Sequence, residues 1–258
     1  RPSWLLFTPL AVVIALVVCL PRRRPLQIGA VMLTTLALTM LPWWIRNALV
    51  LESFVATTTQ VGASLHDGLH PGATGASDMS FVAPMKEEFR SSEKWQEQES
   101  SASFEVALNQ FFLQQAMQFA QENPTQVARL AAVKFVRMWN IWPNEASLRS
   151  WPLRLVVVIG YLPILVAALW GVGKFLRRGW PYVLCLLPAV YFTLLHMVFV
   201  GSIRYRQPPM LLSIVLAAGW VVVLSAQEIA TEIGRSSAED TSARRRRGSR
   251  SAGITASA

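Results

Sequence analysis

Residues 4–24 read WLLFTPLAVVIALVVCLPRRR, an apolar run from Trp4 to Leu20 closed by Pro21 and by Arg22, Arg23 and Arg24. A bilayer core about 30 Å thick takes roughly 20 mostly apolar residues in a helix. By that measure residues 4–20 form a slightly short membrane span, with Pro9 placed to kink it. Four further runs qualify: residues 26–45, 153–172, 180–200 and 208–226. The second closes on Pro42, Trp43 and Trp44, and Trp gathers where bilayer meets water. Pro208 and Pro209 suit the first turn of the fifth, where their missing amide protons would lack partners in any case. The expected fold class is therefore all-α integral membrane, with about five transmembrane helices, one extracytoplasmic loop and a helical hairpin.

Composition agrees. Of 258 residues, 53% are hydrophobic and only 15% charged, against about 25% charged in an ordinary soluble domain. Mean hydropathy is +0.37. The net charge of +9 does not point to nucleic acid, because the cations sit in short clusters beside apolar runs. Cys19 and Cys185 both lie inside such runs and read as small buried hydrophobes, not as a disulfide or metal site.

The basic clusters set an orientation. Lys and Arg favour the cytoplasmic ends of spans. Arg22 to Arg24 lie between spans one and two, Lys174, Arg177 and Arg178 between spans three and four, and Arg244 to Arg247 beyond span five. Alternating sides across five helices places all three clusters in the cytoplasm. The expectation is a multi-pass protein of the cytoplasmic (inner) membrane. Residues 1–45 hold two spans, 46–152 are extracytoplasmic, 153–228 hold three spans, and 229–258 form a disordered basic cytoplasmic tail. Residue 1 then lies outside the cytoplasm. With Arg1 in place of an initiator Met and no signal-peptide pattern, the chain is expected to be the downstream part of a longer protein.

Within the extracytoplasmic segment, residues up to about 84 are rich in Gly, Ser, Thr and Ala and read as loop with short extended pieces. Residues 101–121 carry Phe104, Leu108, Phe111, Phe112 and Phe119 near helical spacing. Asn123 and Pro124 signal the start of a second helix, reaching about Trp139. Its apolar positions Val127, Leu130, Val133 and Phe135 leave Arg129, Lys134 and Arg137 on the more exposed side. The two helices are expected to rest as a hairpin on the outer membrane surface.

No phosphate-cradling Gly loop, Cys-x-x-Cys or Ser elbow is present. His66 and His70 flank Asp67 in HDGLH, which invites a metal reading. Gly68 and Pro71-Gly72 argue against one helix aiming both imidazoles the same way, and no third ligand stands out, so no metal site is assigned and a divalent cofactor lacks support. His196 lies inside span four, where an ionisable group is a functional hypothesis by default; a neutral imidazole bonded to a neighbouring helix is the more ordinary reading. Arg46 after span two, and Arg204 and Arg206 before span five, depart from the positive-inside pattern. Two readings stand: a bidentate grip on a lipid-linked phosphate, or snorkelling towards headgroups.

Four stretches together resemble the C-terminal half of GT-C-type integral-membrane glycosyltransferases, of the dolichyl-phosphate-mannose protein mannosyltransferase-like and aminoarabinose-transferase-like kinds. They are LPWWIRN (residues 41–47), VGASLHDGLHPGATGASDM (61–79), NPTQVARLAAVKFVRMWNIWP (123–143) and GSIRYRQPPMLLSIVLAAGW (201–220). The resemblance implies transfer of a sugar from a polyprenyl-phosphate donor to an acceptor outside the cytoplasm. It also implies that the acidic catalytic residue belongs to an early loop with no counterpart here, so no catalytic residue is assigned. Asp67 and Asp78 do not match that motif, and some members carry Tyr, Trp or Asn where this chain has His66 and His70. Such a chain would be inactive alone, its partners being membrane lipid, the polyprenyl-phosphate sugar and the missing N-terminal part, with no nucleic acid. Arg204, Tyr205 and Arg206, then Arg46, are the lipid-phosphate candidates, and the loop bearing His66, Asp67 and His70 is the candidate cover of the substrate. The alternative is a non-catalytic multi-pass binding or assembly protein; a transporter ranks lower because, His196 and the prolines aside, the spans are uniformly apolar.

Overall fold

The computed structural model describes residues 2–93, 95, 103–143 and 150–254, with side chains described as far as Ile233. The protein is all-α, and no strand occurs among the described residues. Its α-helices are α1 (Phe7–Val18), α2 (Arg23–Leu51), α3 (Val61–Gly68), α4 (Val82–Ser91), α5 (Phe104–Glu122), α6 (Pro124–Trp139), α7 (Trp151–Phe175), α8 (Trp180–Val198) and α9 (Gln207–Ile254). Among the described residues, four helical stretches are long and apolar enough to cross a membrane: Arg23–Leu51, Trp151–Arg178, Trp180–Val198 and Ile203–Ile233.

The expected first span is the exception. Only 12 residues of it form α1, about 18 Å of helix at 1.5 Å per residue, well short of a bilayer core. Pro21 cannot continue a helix and disfavours helical backbone at Leu20. The preceding residues turn inward instead: Trp4 and Phe7 pack edge-on against Phe192 and Tyr191 of α8, and the Tyr191 hydroxyl donates to the Ser3 carbonyl.

Two helices run past their expected ends. α2 continues beyond position 45 to Leu51, with Pro42 inside it, and stops at Glu52 in the left-handed conformation (φ 50°). α9 continues beyond position 228 to Ile254, where the composition suggested a disordered tail. No proline follows Pro209 in that stretch, and its Ala, Glu and Arg residues are good helix formers. Residues 255–258 of the expected tail, and 144–149 before α7, lie outside the described residues.

The stretch from 52 to 84 is loop at 52–60 and 69–78, as expected, but helix α3 and a 3₁₀ turn at Met79–Phe81 stand in place of extended pieces. α3 buries Gly62, Ala63, Leu65, His66, Asp67 and Gly68. Its small residues allow close approach: a Cβ at Gly62 would lie 2.0 Å from the Asn109 carbonyl oxygen of α5. α3, α5 and α6 share a core of Leu65, Leu69, Ala116, Phe119 and Leu130, joined by Phe199 from the turn after α8. These helices form an amphipathic layer. Beneath it, α7 and α9 pack through Gly171, whose Cβ would meet the Leu216 carbonyl at 2.3 Å, and through the stacked Trp170–Trp220 pair. Small residues serve helix contact in membranes because apolar burial drives little association there.

Layer and spans meet at Gly201. Its amide donates to the Gly75 carbonyl at 3.0 Å, and an added Cβ would lie 2.6 Å from the Lys134 carbonyl oxygen. At Gly160 the same Cβ meets nothing within 4 Å. Gly201→Ala should therefore destabilise the protein by about 1–3 kcal/mol, the usual cost of forced overpacking, while Gly160→Ala, with open space inside a helix, should leave stability unchanged or raise it by up to about 1 kcal/mol. Unfolding curves of both variants in mild detergent check this.

Candidate functional site

The Arg-Tyr-Arg segment forms a 3₁₀ turn, Ile203–Arg206, entering α9. Its three members differ sharply. Arg206 is 4% exposed; its Nη1 donates to the Asn140 carbonyl at 2.6 Å and, at the limit of bonding, to the Met138 carbonyl at 3.5 Å. Its guanidinium lies 3.6 Å from the centre of the Tyr161 ring, a close cation–π contact. Arg206 thus caps the C-terminal carbonyls of α6 and ties them to α7. Tyr205 stacks on His196 at 3.8 Å and 13°, and His196 Nδ1 lies 3.1 Å from the Val200 carbonyl oxygen. Arg204 is exposed.

A cavity of about 410 Å³ opens between α6, α7, α8 and α9. Apart from Thr193, Ser213 and the rings of Tyr161 and Trp139, its lining is aliphatic and aromatic: Phe135, Leu165, Leu169, Val190 and Leu194 are representative. The Trp139 indole is satisfied by Thr193 at 2.9 Å, leaving the groove apolar along its length. Tyr161, under the Arg206 guanidinium, belongs to its wall.

The His-Asp-Gly-Leu-His segment brings its two imidazoles together. α3 carries His66 and Asp67 and ends at Gly68, before His70. The two imidazoles stack at 5.4 Å and 18° and both pack on Phe81. Among the described residues no three His, Cys, Asp or Glu side chains gather to hold a metal ion. Burial, and then the neighbouring His70, lower the His66 pKa, with Asp67 opposing. Asp67 is 2% exposed, and both its oxygens are engaged, one by the Ser77 hydroxyl at 2.7 Å and one by the Asp78 amide at 2.8 Å. It organises the Gly-rich loop.

Lys134, expected on the exposed side of its helix, is 1% exposed. The buried face of α6 is Leu130, Lys134 and Met138, a continuous i, i+4, i+8 stripe, whereas Val133 and Phe135 are turned outward. Its Nζ donates to the Val198 carbonyl at 2.8 Å, the last turn of α8. Burial pushes the Lys134 pKa down from 10.5 to about 8, the negative charge of Asp67 opposing the shift. This lysine is the buried charge that sequence inspection missed; the helical spacing from Leu130 to Met138 already marked it.

Arg46 stands apart from the Arg-Tyr-Arg turn. It lies at the far end of α2, exposed, bonded to Asn47 Oδ1 at 3.1 Å and 5.3 Å from the Trp43 ring centre. Trp43, Trp44 and Asn47 donate to the carbonyls of Thr57, Ala56 and Val55. The WWIRN stretch is thus a three-point clamp on the segment leaving α2. Neither family models, curated proteins nor solved structures yield a match to this chain.

Lys134 carries a pH signature. Its folded-state pKa of about 8 lies below the ordinary 10.5, so between these values the unfolded chain binds the extra proton and stability rises with pH. The Lys134→Met variant should lose that rise. Unfolding curves of both proteins from pH 7.5 to 10 provide the comparison, and parallel pH profiles would count against the assignment.

Proposed function

We propose that the chain forms the donor-lipid side of a membrane glycosyltransferase that passes a sugar from a polyprenyl phosphate to an acceptor outside the cytoplasm. One observation carries the reading: an apolar groove of about 410 Å³ between membrane-length helices includes Tyr161 in its wall, and the Tyr161 ring carries the guanidinium of Arg206, whose turn also bears the exposed Arg204. A long isoprenoid suits the groove, and its phosphate suits the cationic turn. The resemblance of residues 41–47, 61–79, 123–143 and 201–220 to GT-C-type enzymes supports the same assignment.

Transfer breaks the bond between the sugar carbon and the phosphate oxygen as the acceptor oxygen attacks. Charge develops on the departing phosphate, and a fixed donor aimed there lowers the barrier. Arg204 is the group free to follow that phosphate. Arg206 holds the turn through α6, and Tyr205 is braced by His196. Arg46 lines a separate cavity at the end of α2 and is left out of the donor-phosphate role proposed here. With both oxygens of Asp67 bonded internally, it is no base for the acceptor, and the base is left unassigned. That commitment favours the second reading, a non-catalytic lipid-holding assembly protein.

The proposed location is the cytoplasmic membrane. Crossing by α2, α7, α8 and α9 alone puts Arg22 to Arg24, Lys174 to Arg178 and the end of α9 on one side, by the positive-inside tendency the cytoplasm. Residues 52–150 then lie outside, and α1 need not cross.

In membranes of a deletion strain carrying the intact gene product, Arg204→Ala should cut sugar transfer from polyprenyl-phosphate donors by roughly a hundredfold, the scale for losing one charge-stabilising donor, at unchanged folded yield. Arg206→Ala should reduce the folded yield itself. Unchanged turnover in Arg204→Ala would remove the phosphate role, and absence of transfer by the parent with any such donor would favour the assembly reading.

A further inference from the structure

The end of α2 holds a second cavity, about 470 Å³, that sugar transfer leaves unused. It lies between the last turns of α2, residues 55–59 and the start of α5. That volume is typical of a small-molecule site. Its chemistry is unlike that of the apolar groove. Arg46 and Glu105 both line it, both are exposed, and no ion pair joins them; the ion pair found among the described residues is Arg90–Glu87. Two opposite charges face one space without neutralising each other. The wall between them carries the hydroxyl side chains of Thr57, Thr58 and Thr59.

The cation is held in advance. Arg46 is fixed by Asn47 Oδ1 at 3.1 Å and by the Trp43 ring, and Asn47 is 2% exposed and bonded to the Val55 carbonyl. One guanidinium nitrogen is engaged there, and the remaining donors of the five can meet an oxyanion. The rim is apolar: Val50 and Leu51 belong to the lining, and Leu49 beside them is exposed. The helix itself is one of the four of membrane-crossing length, and the cavity lies at its end. A ligand that satisfies all three features carries a phosphate, a primary ammonium a few atoms away, and apolar chains.

We infer that this cavity binds the headgroup of a phosphoethanolamine-type membrane lipid, with the phosphate on Arg46, the ammonium on Glu105, and the acyl chains running down α2. An anionic glycerol lipid would meet Arg46 but leave the Glu105 carboxylate opposed to its own charge. The inference does not rest on sugar transfer, and it is read without any sugar donor.

The test is lipid retention by the full-length protein, purified in mild detergent, delipidated, and re-exposed to an equimolar mixture of phosphatidylethanolamine and phosphatidylglycerol of matched chains. Native mass spectrometry should show the ethanolamine lipid retained in roughly tenfold preference, about the ratio one charge-assisted contact supplies. Glu105→Gln should bring that ratio close to one while retaining lipid. Arg46→Ala should weaken retention of both lipids by roughly tenfold. Both positions are exposed, and circular dichroism verifies that each variant folds. Equal retention of the two lipids by the parent, or a preference untouched by both variants, overturns the inference. Residue-dependent binding of soluble glycerophosphoethanolamine without retention of the diacyl lipid overturns the lipid assignment.

Discussion

The ammonium of Lys134, buried and bonded to the Val198 carbonyl, is the contact on which the architecture turns. α8 ends there, and the chain must reverse within a few residues to enter α9. Gly201 lies against the Lys134 backbone, and Gly68 closes on the Phe199 carbonyl, where its Cβ would meet oxygen at 2.1 Å. Three segments distant in sequence thus converge on one lysine. A lone buried charge is costly, and it persists where hydrogen bonds and an opposing charge offset desolvation. Asp67 supplies the opposing charge. Because the reversal is held here, the following turn sits under α6, and Arg206 can reach back to the carbonyls of Met138 and Asn140.

The spans were legible because a bilayer demands uninterrupted apolar length, a local property of sequence. Residues 26–45, 153–172 and 208–226 fall within membrane-length helices, and 180–200 overruns its helix, Trp180–Val198, by two residues. Residues 4–20 satisfy the same count yet form a 12-residue helix, since Pro21 ends it and Trp4 and Phe7 find partners on α8. Before position 84 the composition points correctly to loop at 52–60 and 69–78, but the Gly and Ala of 61–68 form helix α3 in place of an extended piece. In α3 those residues allow contact with α5, which depends on a segment more than forty positions away.

The candidate site was legible only in part. The Arg-Tyr-Arg turn was located, but its residues were treated alike, and their different roles come from α6 and α7: Arg206 is consumed by a helix end and a tyrosine ring, while Arg204 is left outside. The His66–His70 spacing suggests ligands and Gly68 argues against the two imidazoles sharing a face; the rings nevertheless stack together on Phe81, because the turn after α3 brings His70 back alongside His66. The apolar groove had no sequence signature, because four helices contribute to it. The cavity at Arg46 was likewise unreadable, as Glu105 reaches it from another helix.

The most direct measurement of this account is the side of the membrane on which the amphipathic layer lies. Glu88→Cys, in a background with Cys19→Ala and Cys185→Ala, places one thiol at an exposed position on α4. A membrane-impermeant maleimide should label it in intact cells and fail to reach it in sealed inside-out vesicles. Labelling confined to the inside-out vesicles would invert the orientation and remove the proposed outward-facing transfer site.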